Sequence, residues 1–259
     1  MTVLTYGDRS LLIEAETTDQ AIGWTVAINE ADLPGVVDVV PGARTVLVTA
    51  DGPGRTGALR TALERLTPTS GEARRDGTTV EVPVIYDGPD LDDIARLTGL
   101  SPDEVVTAHT SAPWQVAFGG FAPGFAYLIG GDPRLQVPRR DEARTKVPTG
   151  AVGLAGEFSG IYPRQSPGGW QLLGHTDLPM WDVDRDPPAL LQPGTFVRFR
   201  SVSLARSRCW PRGRSPPFKM VAGLGSPPSA LAGPVPPTAG RTVSATGCCR
   251  TLRTPQPSR

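Results

Sequence analysis

Residues 118–128, F-G-G-F-A-P-G-F-A-Y-L, set four aromatic rings (Phe118, Phe121, Phe125 and Tyr127) among glycines and Pro123. Glycine permits φ > 0 and close backbone approach, and proline fixes its own φ. The stretch therefore predicts a stiff, ring-walled loop around Gly124 between two short strands. Such a loop either forms a wall of a ligand pocket or plugs one end of a barrel as a buried turn. A basic cluster, Arg139, Arg140, Arg144 and Lys146, follows it. Guanidinium groups suit bidentate recognition of a carboxylate or phosphate. The same residues also read as a solvated loop offsetting Asp132, Asp141 and Glu142. Rings beside arginines would suit a small ligand with an apolar body and an anionic end.

Metal chemistry is not written into the chain. His109 and His175 are the only histidines and stand 66 residues apart, and all three cysteines lie beyond residue 208. No ligand spacing results. His175, in G-H-T-D, can serve as a general acid or base beside Asp177, or as a hydrogen-bonded turn residue. His109 falls at an expected helix end, where an imidazole is structural or favoured by the helix dipole. Ser159, His175 and Asp177 hold the residue types of a nucleophilic triad, but no G-x-S-x-G elbow presents the serine. No phosphate-binding G-x-x-x-x-G-K-[ST] or G-x-G-x-x-G-helix motif occurs. Gly150, Gly153 and Gly156 recur every third residue, beside strand-like neighbours.

The elements that would position these groups fall into two sets. Residues 1–66 predict a small α+β domain: a strand over Ser10–Glu14, a helix over Thr18–Glu30, strands over 36–40 and 45–49, and a helix over 58–66. Residues 67–78 are polar with Gly and Pro and read as a linker. Residues 79–202 form the second domain. It opens with a strand at Val80–Tyr86, followed by two short helices. Asp90 can cap the first and Gly99 can end it, and Ser101–Glu104 is a capping box with Pro102 at the first helical position. The pair resembles a helix-turn-helix, but Asp103 and Glu104 on its second helix would repel phosphate. Beyond it, short apolar pieces at 115–118, 125–128, 151–154, 169–173 and 195–200 alternate with Gly and Pro, the pattern of a β-barrel.

The totals agree with this division. The 259 residues carry equal numbers of acidic and basic side chains, but residues 203–259 hold nine basic residues and no acidic one. Residues 1–202 thus carry 17 basic against 26 acidic side chains, which argues against nucleic acid as partner. No apolar run approaches the roughly 18 residues of a membrane span, and Met1–Arg9 lacks a basic region followed by an apolar core, so no signal peptide, no membrane association and a cytoplasmic location are expected.

The stretch G-F-A-P-G-F-A-Y-L (Gly120–Leu128) resembles the signature of the 5-oxoprolinase B-subunit family, also known as the allophanate hydrolase subunit 1 or kinase-inhibitor KipI family. Further segments fit it: Tyr6–Leu12, Ala43–Val48, Asp132–Leu135, Val137–Arg139, Val147–Gly153, Ser159–Pro163, Ser166–Trp170, Asp186–Leu191 and Pro193–Phe199. Gly156-Glu157-Phe158 departs from the usual polar, glycine-rich segment. The resemblance implies a ferredoxin-like N-terminal domain, a cyclophilin-like β-barrel, and a B-type component acting with the C and A subunits of a 5-oxoprolinase. Their joint reaction would be ATP-dependent opening of 5-oxo-L-proline to L-glutamate, with ATP used by the complex. The motif positions of the resemblance, together with Arg144 of the basic cluster, give the candidate substrate-binding residues Phe121, Pro123, Gly124, Phe125, Tyr127, Arg139, Arg144 and Tyr162. The catalytic candidates remain His175 and Asp177, and no metal is expected. Two other family roles stand as alternatives. One is inhibition of a sensor histidine kinase. The other is a carboxyltransferase component of an allophanate- or urea-amidolyase type enzyme.

Residues 203–259 read as a disordered Pro/Arg/Ser tail. A second reading is open. With GC-rich codons and the frame moved back by one nucleotide, residues 209–220 can read V-L-A-A-G-P-L-T-T-V-Q-D. Residues 221–238 can continue as G-G-R-P-G-L-A-A-L-G-V-G-R-S-G-A-A-D. That string resembles the start of the C subunit, as if a frameshift near Val202 or Ser203 interrupted a B–C fusion. The DNA sequence there decides between the two. Under both readings Cys248 and Cys249 carry no catalytic meaning.

Overall fold

In the computed structural model, residues 2–69 and 78–203 are described. The expected tail beyond Ser203 and most of the expected linker lie outside them.

The N-terminal layer is a four-stranded antiparallel sheet: β1 (Thr2–Tyr6), β2 (Ser10–Glu14), β3 (Val36–Pro41) and β4 (Thr45–Ala50), in the spatial order β1-β2-β4-β3. Two helices, α1 (Thr18–Ala31) and α2 (Thr56–Leu63), cover one face. Alternation sends Leu11, Ile13, Val46 and Val48 into a core shared with Trp24, Ile28, Leu59 and Leu63. The Thr17 side chain caps α1 by accepting from the Gln20 backbone N–H. Strands β2 and β3 run parallel with β4 between them, the split β-α-β unit that a ferredoxin-like domain also contains. The order departs from a β-α-β-β-α-β chain. The edge beside β2 is filled by β1, which precedes the unit, and no strand after α2 joins this sheet among the described residues. Strand β1 is not among the sequence expectations, because only Val3 of its five residues turns toward the core.

The second layer is a seven-stranded mixed sheet curled into a barrel. Its strands are β5 (Thr79–Val84), β6 (Trp114–Gly119), β7 (Ala126–Gly130), β9 (Ala151–Ala155), β10 (Phe158–Ile161), β12 (Gln171–His175) and β13 (Phe196–Ser201), ordered β12-β9-β10-β7-β6-β13-β5. The two terminal strands meet. Ile85 and His175 exchange backbone hydrogen bonds of 2.9 Å each way, and Gly88 N–H donates to Leu173 C=O at 3.0 Å. Pro83, which lacks an N–H, is tolerated because β5 is the last strand of the ladder before this seam. Val80, Val82, Val84, Val197 and Phe199 point inward, while Glu81, Arg198 and Arg200 alternate outward. Helices α3 (Leu91–Thr98) and α4 (Pro102–Ser111) add Ile94, Ala95, Val105 and Ala108 to the same core. The capping box at Ser101 and the left-handed Gly99 are as expected.

A short ribbon, β8 (Arg144–Val147) paired with β11 (Ser166–Gly168), lies beyond the barrel sheet. Neither strand, nor β10, is legible from apolar runs, because each is three or four residues long and partly polar. A hydrogen bond joins the two layers. The Thr18 hydroxyl donates to Glu157 Oε1 at 2.7 Å, in the turn between β9 and β10. That turn is the segment that departs from the family pattern.

Candidate functional site

The ring-rich segment is the connection between β6 and β7, as expected. Its bend is held by three short backbone bonds, including Ala122 N–H to Gly120 C=O at 2.7 Å and Phe125 N–H to Ala122 C=O at 2.9 Å. Gly124 has φ +80°, and a Cβ there would stand 2.8 Å from the Trp181 Cβ, so only glycine fits against the 180–181 backbone. Phe121 also takes a left-handed φ of +66°, although it is a bulky L-residue. Such a conformation is costly and concentrates at functional sites. The residue is 60 % exposed.

The rings divide into two groups. Phe125, at 3 % exposure, Tyr162 and Trp170 are buried with Val147, Ala151, Ala155 and Leu172 in a second core between the barrel sheet and the β8–β11 ribbon. Edge-to-face contacts link Phe125 to Tyr162 at 5.3 Å, to Trp170 at 5.4 Å and to Tyr127 at 5.1 Å. Phe121 meets the edge of this cluster at Phe125 (5.4 Å) and Tyr162 (6.3 Å) from the solvent side. Phe125 and Tyr162 therefore support the wall, whereas Phe121 and the half-buried Tyr127 present it. Pro123 and Gly124 border a shallow cavity of about 270 Å³ between the loop and Ala189–Pro193. The arginines are not among the residues lining that cavity.

The basic cluster is only partly a free surface. Arg144 and Arg140 both donate to Asp90 Oδ1, at 2.6 and 2.8 Å, and the other Asp90 oxygen accepts from Leu172 N–H at 2.7 Å. This corrects two expectations. Asp90 occupies the N-cap position of α3 but makes no side-chain cap bond, and its carboxylate instead ties the loop of arginines to β12. Arg144 is thus an ion-pair member, while Arg139 is exposed with no described carboxylate paired to it. Both sit within electrostatic range of the Tyr162 phenol. Burial raises that phenol's pKa above the ordinary value, and the Arg139 and Arg144 charges oppose the rise.

His175 ends β12 at the barrel seam. Its Nδ1 pairs with Asp87 Oδ1 at 2.8 Å, and its side chain keeps 36 % exposure. Its acidic partner is therefore Asp87 rather than Asp177, which lies exposed two residues on. Asp87 escapes a sequence reading because it is distant along the chain. It reaches His175 only because the segment after β5 closes the barrel.

Ser159 and His109 belong to a buried chain. His109 Nε2 bonds Ser159 Oγ at 3.0 Å and Nδ1 bonds the Tyr86 hydroxyl at 2.8 Å, while its ring stacks on Phe199 at 4.2 Å. Complete burial pushes the His109 pKa down to about 3, so the imidazole is neutral and satisfied on both nitrogens. Of the two sequence readings for His109 the structural one holds, since a cation favoured by the helix dipole is not what the burial permits. Ser159 is fully enclosed and does not join His175. Gly150, Gly153 and Gly156 belong to the β9–β10 hairpin and its approach, not to a loop feeding a helix N-terminus. No group of three metal-ligating side chains occurs, and no helix is long and apolar enough to cross a membrane, among the described residues.

Residues 1–191 match the sequence model of the carboxyltransferase domain, subdomains C and D. The chain is 39 % identical over 203 residues to the B subunit of 5-oxoprolinase from Escherichia coli O157:H7, covering 74 % of this chain and 92 % of that one. The crystal structure of TTHA0988 superposes with a TM-score of 0.62 at 35 % identity, covering 75 % of this chain and 40 % of its own. This chain therefore spans less than half of that longer protein. Kluyveromyces lactis urea carboxylase shares the fold at 22 % identity and a TM-score of 0.59, over 79 % of this chain and 22 % of its own.

Proposed function

Because the chain belongs to the carboxyltransferase-domain family, subdomains C and D, we propose that it is the B-type component of a 5-oxoprolinase. It acts with the C and A subunits, in the cytoplasm, in ATP-dependent hydrolysis of 5-oxo-L-proline to L-glutamate. The observation that carries this reading is the 39 % identity to a 5-oxoprolinase B subunit across 92 % of that relative's length. The described residues offer no glycine-rich loop at a helix N-terminus. The reading therefore assigns ATP to the complex and not to a nucleotide fold of this chain.

In this reading the substrate lies against the exposed side of the ring cluster. Phe121 and Tyr127 contact the lactam ring, Phe125 and Tyr162 hold those rings in place, and Pro123 and Gly124 fix the bend. Arg139 and Arg144 take the substrate carboxylate. His175, oriented by Asp87, handles protons as the lactam C–N bond opens with addition of water. The left-handed Phe121 supports this placement, since a buried structural turn would not hold a strained aromatic residue out in solvent.

Carboxyl transfer is a second reading, favoured by the description of the matched family. A cell lacking its own B subunit, supplied with this chain and given 5-oxoproline as sole nitrogen source, discriminates. Restored growth supports the oxoprolinase reading. Failure to grow where a relative's B subunit restores growth overturns it.

A further inference from the structure

We propose that the Arg140–Arg144 guanidinium pair is a binding site for a small oxyanion, carboxylate or phosphate, with Asp90 as its positioning residue. This deepens the reading above, on which it rests for the choice of anions offered.

The charge count motivates it. Two cations converge on one carboxylate oxygen, Asp90 Oδ1, whose partner oxygen is already occupied by Leu172 N–H. One positive charge is left over. Asp141 and Glu142, the nearest acids in sequence, are exposed and pair with neither arginine. Arg139 and Lys146, on either side, add further positive charge.

The donor count agrees. Arg140 Nε and Arg144 Nη1 are buried and have no hydrogen-bond partner, and Ser166 Oγ, on the strand paired with β8, is a third such atom. Buried guanidinium N–H groups without an acceptor are rare in folded proteins. Two of them, on side chains that share Asp90, call for an acceptor, and neither pairs with Gln171 Oε1, a buried acceptor that also lacks a partner among the described residues. The two side chains keep 31 % and 22 % exposure as wholes, although Arg140 Nε and Arg144 Nη1 themselves are enclosed. Asp90 is 2 % exposed and anchored to the β12 backbone. It holds both forks in a fixed orientation, the arrangement that favours planar bidentate recognition over a diffuse basic patch.

The alternative is a purely structural ion triad that clamps the 138–144 segment to the barrel seam. The two differ in response to anions. The test uses the full chain alone, with titration calorimetry and thermal melts in inorganic phosphate, acetate or 5-oxoproline, at ionic strength held constant with chloride. The expected result is saturable binding of at least one of these anions, with a melting shift of roughly 5–10 °C at a hundredfold excess over Kd. Phosphate binding alone identifies a phosphoryl group as the ligand, and binding of acetate and 5-oxoproline alone identifies a carboxylate.

Arg140→Lys keeps the charge and removes the fork, and should weaken binding about tenfold or more while the melt without anion changes little. Asp90→Asn leaves both cations unneutralised. Its melting temperature should fall without anion and recover with it by more than the wild-type shift. A response no larger than that to chloride, in the wild type and in Arg140→Lys, overturns the proposal even if Asp90→Asn fails to fold. Anion binding with no oxoprolinase activity in the assembled complex would sink the functional reading and leave this site standing. Activity without anion binding would do the reverse.

Discussion

Replacing Phe121 by glycine separates strain from contact. The backbone at Phe121 has φ +66°, a region that costs an ordinary L-residue about 1–2 kcal/mol and glycine very little. Its ring makes two edge-to-face contacts, at 5.4 and 6.3 Å, but the residue is 60 % exposed. Contacts of that kind contribute about 0.5–1.5 kcal/mol each when buried, so roughly 1 kcal/mol in total is a fair figure for this half-solvated ring. Phe121→Gly gains the first quantity and loses the second, leaving stability unchanged or raised by up to about 1 kcal/mol. Phe121→Ala loses the contacts and keeps the strain, and falls by about 1 kcal/mol. The two variants should therefore melt about 2–8 °C apart, glycine higher, for a body of this size. Differential scanning calorimetry reads the order directly. In the assembled complex both variants should lose activity to a similar degree, because both lack the ring. Alanine melting at or above glycine would refute the strained-loop reasoning. Glycine melting higher with full activity would refute the assignment of the ring to the substrate.

Three further outcomes follow from the geometry. Phe125→Ala removes a buried ring packed on Tyr127, Tyr162 and Trp170, and should cost about 3–5 kcal/mol in urea unfolding; a cost below about 1 kcal/mol would show that the cluster is not a core. His109 is neutral in the fold with its pKa held down to about 3, below the ordinary value of 6.5, so the unfolded chain takes up the extra proton as the pH falls. Stability contributed in this way is intact above pH 6.5, drops by about 2 kcal/mol between pH 7 and pH 5, and continues to drop toward pH 3. His109→Gln should flatten that slope, and an unchanged slope contradicts the burial argument. Asp87→Ala removes the acceptor that orients His175 and should lower turnover by about 10²-fold or more with little change in KM, whereas Asp177→Ala should leave turnover unchanged. The opposite ranking of the two aspartates would restore the pairing expected from sequence proximity.

How much could be read in advance depended on whether a feature was local. The ring loop, the capping box at Ser101, the left-handed Gly99 and the alternating strands β5, β6 and β13 are written in consecutive residues, and they form as expected. The strands that escape notice, β1, β8, β10 and β11, bury few of their side chains or are too short to show a period. The site was legible in its parts and not in its pairings. Arg139, Arg144 and Tyr162 do come together, yet the acid that disciplines Arg144 is Asp90, 54 residues away, and the acid beside His175 is Asp87, 88 residues away. Both acids arrive by way of the barrel seam, where the segment after β5 pairs with β12, and no spacing rule announces that closure. A related limit appears at Phe125. Aromatic type alone could not tell a ring that presents a surface from one that supports it, and burial assigns Phe125 to the second role.

The central claim is that this chain is a working part of an oxoprolinase. The most direct measurement supplies isotope-labelled 5-oxoproline, ATP and the purified A and C subunits, with and without this chain, and follows labelled glutamate by NMR. The prediction is glutamate formation, matched by ATP hydrolysis, only when this chain is present. Glutamate formation at the same rate without it, or none from a mixture in which a relative's B subunit is active, would contradict the claim.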